Sequence, residues 1–171
     1  MVEGDQMGRL TLLNQAVIDD LTLRFGDEII SNEDGSIIRA VLGRVAFSSA
    51  SGRKDLMSIT FPELYKIANQ HFNSEANKGK IVVFDAALIY EWGVEADFDC
   101  TVVVNAPMDI IVHRASKKLN TTTEEIRNRI SAQIPAEEKM RRADRLIDND
   151  GGLEDLIQKA KIMWSEIKLQ K

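Results

Sequence analysis

Apolar positions along this chain fall into two patterns. Three short runs are rich in β-branched residues. The first is Lys80-Ile81-Val82-Val83-Phe84-Asp85, after the breaker Lys78-Gly79; the second is Cys100-Thr101-Val102-Val103-Val104-Asn105; the third, the most polar, is Arg145-Leu146-Ile147-Asp148-Asn149. The first two are continuous rather than alternating, which predicts strands buried on both faces of a parallel sheet. Elsewhere the apolar residues recur every three or four positions. Leu10, Leu13, Val17 and Leu21 share one helical face, and Ile38, Val41, Leu42 and Val45 share another. Leu64, Ile67, Ala68 and Phe72 predict a helix after Pro62. Asn32-Glu33-Asp34-Gly35 is a turn signal.

Later helices carry end signals as well. Pro107 suits a first helical position, Asp109 a first turn, and Lys117 with Lys118 a last turn, where the helix dipole favours cations. Thr122 and Glu125 have the capping-box spacing ahead of Ile126 and Ile130. Leu153, Leu156, Ile157, Ala160, Met163, Trp164 and Ile167 form an amphipathic stripe expected to pack into the core. Strands that alternate with helices predict an α/β fold built from βαβ units.

The chain has 171 residues, about the size of one domain. Hydrophobic residues make up 44%, enough for a sizeable core. Only three prolines and 29% charged residues argue against a disordered chain. Net charge is −5, which excludes a general nucleic-acid coat. No apolar run approaches the roughly 18 residues of a membrane span, and Met1–Asp5 has neither the basic nor the apolar part of a signal peptide. Cys100 is the single cysteine, so no disulfide forms within the chain, and a reducing compartment fits. These features predict a cytoplasmic protein without nucleic-acid or membrane partners. His71 and His113 are isolated, so no metal ligands stand out.

Charge is uneven. From His113 to Arg145 there are nine basic residues against five acidic ones, so this stretch is +4 and the remainder −9. A basic segment on an acidic body suits a phosphorylated small molecule. The plainer alternative, solvated helix faces with i,i+4 pairs, accounts for about half of these residues.

In the second half, Gln133, Glu137-Glu138-Lys139 and Ala143-Asp144-Arg145-Leu146-Ile147-Asp148-Asn149-Asp150-Gly151 resemble the C-terminal signature of the dephospho-CoA kinases. Ala87-Leu88-Ile89-Tyr90-Glu91 resembles the family's Pro-Leu-Leu-aromatic-Glu segment. Arg24-Phe25-Gly26, Asp34-Gly35, Arg39, Leu42-Gly43 and Phe47 resemble its substrate-binding helical part, and Glu3-Gly4-Asp5 its Asp-x-Asp segment. The order is kept from residue 3 to about residue 160.

The resemblance implies a three-layer P-loop kinase-like α/β fold: a parallel sheet with helices on both faces. It also implies a single domain over 1–171, with a helical substrate-binding part at 25–78 and a lid at 113–145. The implied activity is transfer of the ATP γ-phosphate to the ribose 3′-hydroxyl of dephospho-CoA, with Mg²⁺ as cofactor. One part of the family pattern is missing. The sequence has no G-x-x-x-x-G-K-[ST]; its one Gly-Lys pair, Gly79-Lys80, is followed by Ile81. The expectation is a truncated sequence lacking the first, central strand and its phosphate loop, with weak or no ATP binding and turnover of its own. Rival expectations are a non-catalytic remnant that binds dephospho-CoA or a protein, and another small-molecule nucleotide kinase of the same fold. Whether the chain is itself an enzyme, and its oligomeric state, stay open at this point.

By the same resemblance Asp5 corresponds to the catalytic base. Arg114, Lys118 and Lys139 would clamp ATP phosphates, although the ammonium of Lys118 cannot fork as the usual arginine does. Asn149 lies where the family places adenine, and Arg39 and Glu91 belong to the dephospho-CoA site. Phe61 and Ala87 depart from the family's histidine and proline, which bears on acceptor binding.

Overall fold

A computed structural model describes residues 1–169. The chain divides into two compact units, Met1–Ala87 and Leu88–Lys171.

The first unit opens with β1 (Val2–Glu3) and α1 (Gly4–Thr11). It continues with α2 (Gln15–Phe25), α3 (Arg39–Ala46), α4 (Ala50–Phe72) and β2 (Phe84–Asp85). β1 lies parallel to β2, with Val2 opposite Phe84 and Glu3 opposite Asp85. Val17, Leu21 and Phe25 line one face of α2 and pack with Ile29, Ile37, Leu42 and Ala46 into the unit's core. The Asn32–Gly35 turn is present, and it brings Ile30 opposite Ile37 in an antiparallel bridge.

Three expectations are corrected in this unit. The face from Leu10 to Leu21 is not one helix, because the chain breaks after Thr11. Asn14 starts α2 by accepting from the Ala16 N–H at 3.0 Å, and Leu10 and Leu13 are exposed. The helix assigned after Pro62 instead starts at Ala50, capped by Ser49, and runs through the proline. An interior proline costs about 3 kcal/mol, and packing of α4 on α1, α2 and α3 outweighs it. The run 80–85 yields only a two-residue strand, since β1 offers only two partner residues; the Val83 carbonyl still accepts from Val2 N–H at 2.7 Å.

The second unit contains α5 (Ile89–Trp92), β3 (Val102–Asn105), α6 (Met108–Leu119), α7 (Thr123–Ser131), α8 (Ala136–Arg142), β4 (Arg145–Asp148) and α9 (Leu153–Leu169). β3 and β4 are parallel and in register from Val102–Arg145 to Asn105–Asp148, so α6 to α8 form the crossover of a βαβ unit. The entrance to this strand pair is clipped. Asp144 accepts from the Thr101 N–H at 2.7 Å and its hydroxyl at 2.8 Å. The same hydroxyl accepts from Asp144 N–H at 3.2 Å. These bonds hold the Asp144 carboxyl below its ordinary range.

Helix ends follow the sequence signals closely. Asp109 and the lysine pair occupy the two ends of α6, and Thr122 caps α7 through Glu125 N–H at 3.1 Å. The reciprocal half of the capping box is absent: the Glu125 carboxylate takes the Thr121 hydroxyl and Arg129 instead. β3 is not buried on both faces, since Val102 and Val104 remain 40% and 56% exposed; among the described residues its one strand neighbour is β4. The α9 stripe is corrected too. Among the described residues none of α9 is fully buried, and Leu153, Ile157 and Trp164 are exposed; the helix packs mainly on the short strand β4. Among the described residues no helix is long and apolar enough to cross a membrane.

Candidate functional site

The turn that leaves β4 is the best-organised polar feature of the second unit. β4 places Asp148 beside Asn105, and Asn149 N–H donates to the Asn105 carbonyl at 2.6 Å. From α6, Arg114 Nη1 donates to the Asn149 carbonyl at 2.8 Å and to its Oδ1 at 3.0 Å, while Nη2 donates to the Gly151 carbonyl at 2.7 Å. From α9, Lys159 Nζ donates to the Asp148 carbonyl at 2.8 Å and to Asp150 Oδ1 at 3.0 Å. Asp155 Oδ2 lies 2.7 Å from the same ammonium. Lysine hydrogen bonding lowers the Asp150 pKa from its ordinary value, and the bonds to Asp155 and then Asp150 raise that of Lys159. A guanidinium only donates. Asn149 Oδ1 must therefore face Arg114, and its Nδ2 group keeps two N–H donors without a protein partner among the described residues.

A second polar group joins α5 to α8. Lys139 Nζ lies 2.6 Å from Glu91 Oε1, with side chains 13% and 10% exposed. Glu91 Oε1 also accepts from Ile134 N–H at 3.0 Å, and Lys139 donates to Gln133 Oε1 at 3.1 Å. Beside this pair, Arg142 bonds Glu95 and lies 5.1 Å over the Tyr90 ring. The guanidinium holds the Glu95 carboxyl below its ordinary range, and Glu95 raises the Arg142 pKa. Glu91 Oε2, Glu95 Oε2 and the Tyr90 hydroxyl are buried without a hydrogen-bond partner among the described residues. Lys118 sits one turn beyond Arg114 on α6, exposed and without a side-chain partner among the described residues.

In the first unit Asp5 lies in the first turn of α1, directly after β1, and is exposed with no side-chain partner among the described residues. The strand-to-helix step is tight. A Cβ on Gly4 would come within 2.8 Å of Ala86 Cβ and 3.2 Å of the Asp85 carbonyl oxygen. Arg39 opens α3, exposed and likewise unpartnered among the described residues. Phe61 stacks on Tyr65 at 5.3 Å.

Of the residues singled out from sequence, Arg114 meets Asn149 and Glu91 meets Lys139. Asp5 and Arg39 share the first unit without touching. Sequence reasoning missed Lys159, although the i,i+4 spacing from Asp155 was a visible signal. It also missed the Glu95–Arg142 pair and the Thr101–Asp144 clip, which bridge more than 40 residues and leave no local trace. Among the described residues no three His, Cys, Asp or Glu side chains converge on a metal position; a Mg²⁺ held mainly by substrate phosphates would need only one or two carboxylates.

A sequence model of the dephospho-CoA kinase family matches residues 1–155. A dephospho-CoA kinase from Corynebacterium glutamicum is 32% identical over 169 residues, 98% of this chain and 84% of the relative. A second from Syntrophotalea carbinolica is 32% identical over 156 residues, 90% of this chain and 74% of the relative. Among solved structures, TT1252 from Thermus thermophilus superimposes with a TM-score of 0.78 at 27% identity, over 96% of this chain and 83% of its own. The dephospho-CoA kinase from Campylobacter jejuni shares the fold, with a TM-score of 0.68 at 20% identity, over 97% of this chain and 83% of its own.

Proposed function

The chain belongs to the dephospho-CoA kinase family, and on that premise we propose that it serves ATP-dependent phosphorylation of the ribose 3′-hydroxyl of dephospho-CoA. The observation that carries this reading is the family match through residues 1–155, which runs through both units. The contact between Arg114 and Asn149 supports it, because two residues assigned to the nucleotide from sequence meet at one turn.

In the transfer, a bond forms between the acceptor 3′-oxygen and the γ-phosphorus. The bond from that phosphorus to the bridging oxygen breaks, and ADP leaves. Asp5 takes the hydroxyl proton; its carboxylate, with no protein partner among the described residues, has oxygens open to accept it. Asn149 offers its Nδ2 donors to an acceptor atom on the edge of the base. Arg114 has five N–H groups and directs three bonds at the turn, so two remain for phosphate oxygens. Lys118 adds a second cation one helical turn away. Lys139 is held by Glu91 and fixes α8 on α5, so Glu91 acts by positioning Lys139. Arg39 supplies a cation for the diphosphate of the acceptor. Mg²⁺ finds no ligand cluster among the described residues. The 171 residues contain no G-x-x-x-x-G-K-[ST], so the backbone cradle for the phosphates is not among them.

That last observation favours one second reading: binding of dephospho-CoA without transfer. A direct experiment separates the two. The chain is fused behind a strand, a G-x-x-x-x-G-K-S loop and a helix, and dephospho-CoA-dependent ADP release is measured with and without that segment. Turnover that needs the segment and falls at least about 100-fold in Asp5→Asn supports the kinase reading. Dephospho-CoA bound by both chains with no ADP released supports binding alone. Preference for a nucleoside monophosphate over dephospho-CoA would overturn the acceptor assignment.

A further inference from the structure

We propose that Lys159 of α9, acting with Arg114 of α6, is a positioning residue for the nucleotide-base turn at 148–151. This rests on the base-turn reading of the proposed function and assigns a role to a helix that the sequence marks only as core packing. Three observations carry it. First, the bonds go mainly to backbone: Arg114 holds the carbonyls of Asn149 and Gly151, and Lys159 holds that of Asp148. Side-chain bonds to Asn149 Oδ1 and Asp150 Oδ1 add to them. Second, the two cations come from different helices, so neither alone fixes the turn. Third, the bond to Oδ1 settles which end of the Asn149 amide faces Arg114 and leaves the Nδ2 donors without a protein partner among the described residues.

The consequence is recognition by donors. With Oδ1 turned to Arg114, the Nδ2 group supplies the donors that Asn149 has to offer, and an acceptor such as a purine ring nitrogen suits them. A turn already held in place loses little conformational freedom when the base arrives, which improves affinity without new contacts. Asp155 keeps the Lys159 ammonium over the turn through the i,i+4 pair.

The test uses the chain itself with adenosine, a probe that needs no phosphate cradle. Amide hydrogen exchange at 149–151 and adenosine-induced resonance shifts there are followed in wild type, Lys159→Met and Lys159→Arg. In Lys159→Met, exchange at the turn is expected to rise about tenfold while exchange at 103–105 stays constant. Adenosine affinity should fall several-fold in the same variant, and Lys159→Arg should restore both. Unchanged exchange in Lys159→Met, with adenosine still bound, overturns the positioning role alone. Faster exchange with unchanged adenosine affinity also overturns it, leaving Lys159 purely structural. Wild-type resonances at 149–151 that ignore adenosine overturn the base-turn reading and this inference with it.

Discussion

The pair Glu91–Lys139 offers the sharpest quantitative test. Both side chains are nearly buried, and the ions are 2.6 Å apart. Removing one partner of such a pair leaves a desolvated charge, a loss of about 3–5 kcal/mol when burial is complete. Here some solvent reaches both groups, and each keeps one further bond: Ile134 N–H for the carboxylate, Gln133 for the ammonium. We therefore expect about 3 kcal/mol for Lys139→Met, which strands the carboxylate. Glu91→Gln keeps an oxygen for Ile134 and should cost about 2 kcal/mol. The double variant strands no charge and should cost only about 2 kcal/mol, a coupling of about 3 kcal/mol. The assay is urea unfolding followed by tryptophan fluorescence. Both tryptophans, Trp92 and Trp164, lie in the second unit, so the signal reports that unit whatever the first unit does. A coupling below about 0.5 kcal/mol would show that solvent already screens the pair and would refute Glu91 as the residue that positions Lys139.

Two further predictions concern the strand ends. The Asp144 carboxyl is held below its ordinary range, chiefly by Thr101 N–H and then by its hydroxyl. Its contribution is therefore fully present above the unfolded value near 4 and lost as pH falls through the lower folded value. Asp144 is exposed, so solvent screens its charge; Asp144→Asn should cost below about 1 kcal/mol at pH 7 and nothing extra in strong acid, read from urea midpoints across pH, and a constant difference at all pH values refutes it. Gly4→Ala places a Cβ 2.8 Å from Ala86 Cβ. Overpacking of this kind costs about 1–3 kcal/mol, measured as a lower thermal midpoint, and an unchanged midpoint contradicts the tight β1–β2 step.

Where the sequence was legible, local physics decided the outcome. α6 starts just after Pro107, which stands at its N-cap rather than as its first residue, and ends just past the lysine pair, and α7 starts from Thr122, because caps and dipoles act within a turn. β3 and β4 fall within their apolar runs because β-branched residues favour extended backbone locally. What failed depends on neighbours. Val102 and Val104 are as apolar as any buried strand, yet nothing in a single strand states whether both faces will be covered. The α9 stripe has the right period, but period gives only the side that prefers to be covered, not how much surface the rest of the unit can offer it. Leu10 to Leu21 kept phase by coincidence across the break that Asn14 caps. In the candidate site, residue types were legible and their partners were not. Glu91 and Lys139 are 48 residues apart, as invisible to spacing as the Thr101–Asp144 clip.

The basic segment illustrates what the partners change. Of its nine cations, Arg127 pairs with Asp109, Arg129 with Glu125, Lys139 with Glu91, and Arg142 with Glu95 and Glu138. Arg114 holds the turn, and Arg145 donates to the Asp144 carbonyl. Among the described residues Lys117, Lys118 and Arg141 have no side-chain partner. An anion arriving at this segment therefore does not meet a uniform field of +4. Cations already paired would have to give up a carboxylate first, and for Lys139 that means breaking a nearly buried bond. Lys118 breaks nothing, and Arg114 breaks nothing if it uses its remaining N–H groups. On the proposed reading, a phosphate clamp assembled at least cost would centre on α6, whose Arg114 already bonds the turn at 149–151, while α8 would contribute rigidity.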